Sequence, residues 1–167
     1  MKLQNSGQAI DEFYPKSFIL NEEEPFRQQF RRTLAESLLK KFDGELTLQA
    51  LLALNITESR LQSDEPLVND TQNEILKMSK QEVLDKTESL LDQHSWLSDL
   101  KAHYSDKVDM KSYVAETLDK LAEKFPQTLM NGDQNIWLFK PGQSYAGDEI
   151  SLHTDEDSVF EASKAYH

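Results

Sequence analysis

Apolar residues recur every four positions from Phe26 through Phe30, Leu34 and Leu38 to Phe42, the spacing that aligns one face of an α-helix. Glu22, Glu23, Glu24 and Pro25 stand ahead of that stripe, where negative charge and proline suit a helix start. Gly44 follows as a stop signal. In front of the helix, Phe13, Tyr14, Phe18, Ile19 and Leu20 lie around Pro15, which predicts an extended lead-in. A short apolar helix is expected over about 46–54 and a polar loop over 57–73, which contains Pro66. Ser79-Lys80-Gln81-Glu82 has capping-box spacing, and Val83, Leu84, Thr87, Leu90 and Leu91 turn one face of the following helix inward. Asp109 is the N-cap of a further helix with Met110, Tyr113, Val114, Leu118, Leu121 and Phe125 on its core side, closed by Pro126.

The pattern changes at Asn131-Gly132-Asp133, a turn-rich cluster. Residues 136–139 form a hydrophobic run of strand length closed by Pro141-Gly142, 150–152 supply a second brief strand, and 158–166 a terminal helix. The expected fold is mainly α, an irregular packing of four or five helices with a short C-terminal β element. It divides into an extended lead-in (1–22), a helical region (23–130) and a partial β segment with a terminal helix (131–167).

Composition narrows the chemistry. Thirty acidic against eighteen basic residues in 167 give a net charge of −12, which opposes non-specific binding to nucleic acid or anionic membranes. The absence of cysteine removes disulfides, thiolate nucleophiles and cysteine zinc sites, and fits a reducing compartment. No apolar run approaches the ~20 residues needed to span a bilayer, and the polar start Met1 to Gln8 lacks a signal-peptide core. Cytoplasm is the expected setting, with neither nucleic acid nor membrane as partner.

Two blocks carry a family resemblance. The first is Asp11-Glu12-Phe13-Tyr14-Pro15-Lys16-Ser17-Phe18 with Phe26, Phe30 and the segment from Ala35 to Lys40. The second is Phe125-Pro126-Gln127 followed by Met130-Asn131-Gly132-Asp133-Gln134-Asn135-Ile136-Trp137-Leu138-Phe139-Lys140-Pro141-Gly142. Together they resemble the glycylase branch of the tubulin tyrosine ligase-like family, and the resemblance covers nearly the whole chain. It implies that the C-terminal β element is the start of an ATP-grasp domain and that Lys140, Gly142 and Gly147 are remnants of its nucleotide site. A strand can deliver a lysine to phosphate while Pro-Gly turns the backbone toward the ligand.

The next loop departs from the family. Where members carry a Lys-Ser-Arg-Gly-Arg-Gly-Ile type of sequence, this chain reads Ser144-Tyr145-Ala146-Gly147-Asp148-Glu149-Ile150. The basic residues are gone, Glu149 replaces a glycine, and Asp148 adds negative charge. Each such contact with phosphate at ~4 Å opposes binding by about 4 kcal/mol at an effective dielectric of ~20. The resemblance also implies downstream residues for metal, acyl-phosphate chemistry and the incoming amino acid, and the sequence stops at His167.

The resulting expectation is a non-catalytic structural or interaction protein of ciliary or flagellar axonemal microtubules, derived from a tubulin glycylase-like enzyme. No cofactor is expected; ATP and Mg enter only if the chain belongs to a complete ligase. Two alternatives stand beside this reading, a segment of an ATP-dependent tubulin glycine ligase and a regulatory partner of one.

Arg27, Arg31 and Arg32, with Lys40 and Lys41, put a basic side on the first long helix. The three arginines are candidates for contacting tubulin or other axonemal proteins; a solvated helix face is the alternative. Trp96 is a further candidate anchor, whereas Trp137 packs under its strand. His94, His103, His153 and His167 share no metal-ligand spacing, and 153–157 read as an acidic loop.

Overall fold

The computed structural model describes residues 16–20, 23–63, 66–142 and 149–165. Seven α-helices lie among them: α1 (Glu23–Lys40), α2 (Leu48–Gln62), α3 (Asp70–Lys77), α4 (Lys80–Gln93), α5 (Ser95–Tyr104), α6 (Met110–Lys124) and α7 (Glu156–Lys164). A 3-10 turn (Pro126–Leu129) follows α6, and β1 (Trp137–Phe139) pairs antiparallel with β2 (Ser151–His153). The mainly helical class with a small C-terminal sheet is as expected, although the helices exceed the four or five read from periodicity.

Local chemistry explains most boundaries. Ser79 and Glu82 close a reciprocal capping box at α4, and Asp109 accepts from the Ser112 amide at the start of α6. Asn69 and Gln72 build a second capping box at α3. Gly44 has φ +107, a conformation natural to glycine, and a Cβ there would meet Lys111 Cε at 2.5 Å.

α2 is the hub, touching α1, α3, α4, α5 and α6. Leu48, Leu51, Leu52, Ala53, Leu54 and Ile56 are all buried on it, because a helix that is apolar on most sides needs neighbours on most sides. Residues of α3, α4, α5 and α6, among them Ile75, Leu76, Val83, Leu97, Tyr104 and Val114, complete this aliphatic core.

The loop expected over 57–73 is corrected: α2 continues to Gln62 and α3 occupies 70–77. The polar residues there are helical because their partners lie inside the protein. Thr57 is buried with its hydroxyl bonded to Ala53 O, and Arg60 pairs with the buried Glu36. Gln49 of α2 donates to the carbonyls of Ile75, Leu76 and Met78, satisfying groups that the C-terminal end of α3 leaves open.

α1 also departs from a simple amphipathic helix. Phe26 and Phe30 are buried in an aromatic cluster with Val159 and Phe160, whereas Leu34, Leu38 and Phe42 lie half-buried against the aliphatic core. Polar side chains fill the rest of its buried surface. Gln28 matches the backbone of Val68 with two hydrogen bonds, accepting from its N–H at 2.8 Å and donating to its carbonyl at 3.1 Å. Glu36 pairs with Lys40 at 2.8 Å and receives Asn131 Nδ2. Glu58 on α2 accepts from Tyr104 of α5 and Tyr113 of α6. Burial first, then the Glu58 contact, pushes the Tyr104 phenol up. At Tyr113 the hydrogen bond to Glu58 dominates, and its phenol is pushed up to about 12.

Candidate functional site

Asn135 assembles the C-terminal region on α1. Its φ of 46 is a left-handed conformation that asparagine tolerates better than most residues. Its Oδ1 accepts from Thr33 Oγ1 at 2.7 Å and Trp137 Nε1 at 3.0 Å, and its Nδ2 donates to Phe30 O at 3.3 Å. The Trp137 ring is thereby set edge-on to Phe26 (centroids 5.2 Å apart) and near Phe18 and Phe30 (both 6.1 Å). Such edge-to-face contacts suit the ring quadrupoles. The expectation that Trp137 packs under its strand holds.

These rings form one wall of a cavity of about 1040 Å³ bounded by residues 16–20, α1, the turn at 127–132, β1 with residues 140–142, and α7. The described lining contains two lysines, Lys16 and Lys140, and no Asp or Glu, in a chain that carries thirty acidic residues. Lys140 follows β1, is exposed, and has no hydrogen-bond or ion-pair partner among the described residues. Gly142 lies beside it with open space where a Cβ would stand, so crowding does not demand glycine there. Gly147, the third proposed nucleotide residue, lies outside the described residues, as do Phe13, Tyr14 and Pro15 of the lead-in. Glu149, where the family pattern has glycine, adopts φ 67, which costs an ordinary residue roughly 1–2 kcal/mol.

The opposite face of the sheet is open. Leu138 and Leu152 are cross-strand partners, 59% and 67% exposed, with Ile150 nearby at 40%. The inward face carries Ser151 and His153, which fasten β2 to α7. Ser158 Oγ donates to Asp155 O at 2.7 Å, so it accepts from His153 Nδ1–H at 3.0 Å. The other ring nitrogen, Nε2, is then free to accept from Ser151 Oγ at 2.6 Å. Residues 153–157, expected as an acidic loop, instead lead into α7, with Asp155 as its N-cap.

The basic side expected on α1 is a correction. Arg31 and Arg32 are only 6% and 4% exposed. Arg31 donates to Glu156, Asp70 and the Val68 carbonyl, and Arg32 reaches Pro66 O and Gln29 Oε1. Arg27 bonds Asp157 at 2.7 Å and lies 4.4 Å above the Phe160 ring. Burial alone would lower the pKa values of Arg27 and Arg31, but their carboxylate partners on α7 and α3 raise both. A guanidinium rarely stays buried without such partners, and the acidic residues at 155–157 were the available signal. Lys77 completes the clasp, 2.8 Å from Asp155. Trp96 on α5 packs half-buried against the aliphatic core beside His94, remote in sequence and element from the cavity.

Among the described residues no three His, Asp or Glu side chains gather into a cation-binding group. No helix there is long and apolar enough to cross a membrane. Comparisons with protein-family models, curated proteins and solved structures found no match for this chain.

Proposed function

We propose that this protein is a non-catalytic interaction module of axonemal microtubules in a cilium or flagellum, derived from a tubulin glycylase-like enzyme. The observation that carries the interaction reading is the outward apolar face of the hairpin, Leu138 and Leu152 with Ile150. A two-stranded sheet is marginal by itself in water, and an apolar face on one favours a covering partner. The microtubule and the ciliary setting come from the family resemblance. That ancestry is supported by Glu149, which holds a left-handed backbone where the family has glycine. The non-catalytic half is supported by the wall beside Lys140, which is aromatic and aliphatic where phosphate needs a cluster of donors.

Axonemal doublets pelleted with the purified chain test the contact. The wild type should co-sediment, and Leu152→Glu combined with Ile150→Glu should weaken association at least tenfold while the helical circular dichroism persists. Equal pelleting of the variant, or no pelleting of the wild type, overturns the reading.

The ligase-segment reading is favoured by one observation, the exposed ammonium of Lys140 just after β1, which has no partner among the described residues. ATP-dependent transfer of labelled glycine to tubulin, lost in Lys140→Ala, would establish it in place of the non-catalytic one.

A further inference from the structure

We infer that the cavity between α1, β1 and α7 binds a free long-chain carboxylate, its hydrocarbon along the aromatic wall and its head group on Lys140. The wall supplies the first argument. Phe18, Phe26, Trp137, Phe139 and Val159 line it, and Ile19, Met130, Ile136 and Leu138 at its margin are 80%, 44%, 52% and 59% exposed. So much apolar surface in contact with water favours an apolar occupant. The volume of about 1040 Å³ is at the upper end of the roughly 300–1,000 Å³ typical of small-molecule sites.

The polar atoms of the lining decide what kind of occupant. Thr33 Oγ1 and Trp137 Nε1 both donate to Asn135 Oδ1, and Asn131 Nδ2 is committed to Glu36. Gln29 Oε1 accepts from Arg32, and Ser163 Oγ donates to Phe160 O. A peptide laid here would bring backbone N–H and C=O groups into a wall whose donors and acceptors are largely spent, and desolvated groups without partners oppose binding. A nucleotide would need several donors for its phosphates. A hydrocarbon chain needs none.

Charge selects the head group. The described lining has no carboxylate, and Lys140 is exposed with no partner among the described residues. The other lysine of the lining, Lys16, lies 5.6 Å over the Phe18 ring, and the Lys140 ammonium at the edge of the apolar chamber matches one anionic head on an apolar tail. The microtubule contact shares only Leu138 with this site, and its test at Leu152 and Ile150 leaves the described cavity lining unchanged.

Titration of the full chain with octanoate, decanoate and dodecanoate below their micellar concentrations tests the site. The chain has two tryptophans, so a Trp96→Phe variant makes Trp137 the sole reporter, and calorimetry on the wild type gives the same affinities without that change. Burial of a methylene is worth about 0.8 kcal/mol, so each added carbon should tighten binding about fourfold. Lys140→Ala should weaken the carboxylates at least fivefold and leave alcohols of equal length unchanged. Vesicles of anionic phospholipid should not alter Trp137 emission. The inference is overturned by the absence of saturable binding, by affinity independent of chain length, or by equal loss of acid and alcohol in Lys140→Ala. A vesicle response as strong as that to free acid overturns the free-ligand assignment.

Discussion

The aliphatic core around α2 and the aromatic cluster at β1 and α7 solve the burial problem differently. In the first, Leu52, Ala53, Val83 and Leu97 are fully enclosed, and five helices close around a sixth. In the second, only Phe26, Phe30, Val159 and Phe160 are buried, while Phe18, Trp137 and Phe139 stay half-open to a cavity. Three-residue strands cannot enclose a core. The C-terminal region is fastened instead by aromatic edges, by Asn135, and by Arg27, Arg31 and Lys77 gripping the start of α7. A region held by directional contacts can leave an apolar surface exposed without losing its place. A region held by close packing cannot.

The largest effect that would break this contrast comes from Glu156. Its side chain is 3% exposed and faces Arg27, Arg31 and Lys77. Removing one partner of a buried ion pair costs about 3–5 kcal/mol because the other charge is left uncompensated. Glu156→Ala should therefore release α7 and the hairpin before the helical core melts. Trp137 fluorescence in the Trp96→Phe background should change at lower denaturant than the helical circular dichroism. Coincident transitions in that variant would show that the two regions form a single cooperative unit.

A matched pair of truncations sharpens the same contrast. Leu52 is fully buried, whereas Leu138 is 59% exposed. Leu52→Ala should destabilise by about 2–5 kcal/mol, and Leu138→Ala should stay within about 0.5 kcal/mol. Chemical denaturation of both decides it, and comparable losses would mean that the outward face of the hairpin is already covered.

The smallest effect is confined to high pH and to the helical core. The Tyr104 and Tyr113 phenols sit above their ordinary value of 10.0 because each is hydrogen-bonded to Glu58 and shielded by burial. A folded pKa raised above the unfolded one stabilises fully below pH 10, and that stability is lost as pH rises through the range from 10 to about 12 and beyond. In an ultraviolet titration, two of the five tyrosines should ionise late. Glu58→Gln should bring both forward, and an unchanged titration curve would mean that Glu58 does not control them.

Several elements were legible because their signals are local. The α4 capping box, the Asp109 cap and the strand ending at Phe139 each occupy a few consecutive residues. α5 was hidden because His94 is at once the C-cap of α4 and the N-cap of α5, with no glycine or proline to mark the break. The second half of α2 was hidden because Thr57 and Arg60 look like surface residues until Ala53 O and Glu36 are brought against them. The arginines of α1 misled for the same reason: a charge pattern shows a helix face but not what lies opposite. The aromatic wall of the cavity joins Phe18 and Phe26 to Trp137 and Val159, and that long-range pairing leaves no periodic trace.

The ion pair between Arg31 and Glu156 also carries a consequence in time. Its partners are 125 residues apart. At a synthesis rate of roughly 5–20 residues per second, α1 waits roughly 6–25 s on the ribosome for that carboxylate. During that interval the α2 to α6 body can assemble from nearer contacts, while Arg31 has only the Val68 carbonyl and Asp70 within reach. The first described helix is therefore among the last to be completed, and a chaperone that recognises exposed aromatic residues would find Phe26 and Phe30 not fully covered until Trp137 and α7 arrive.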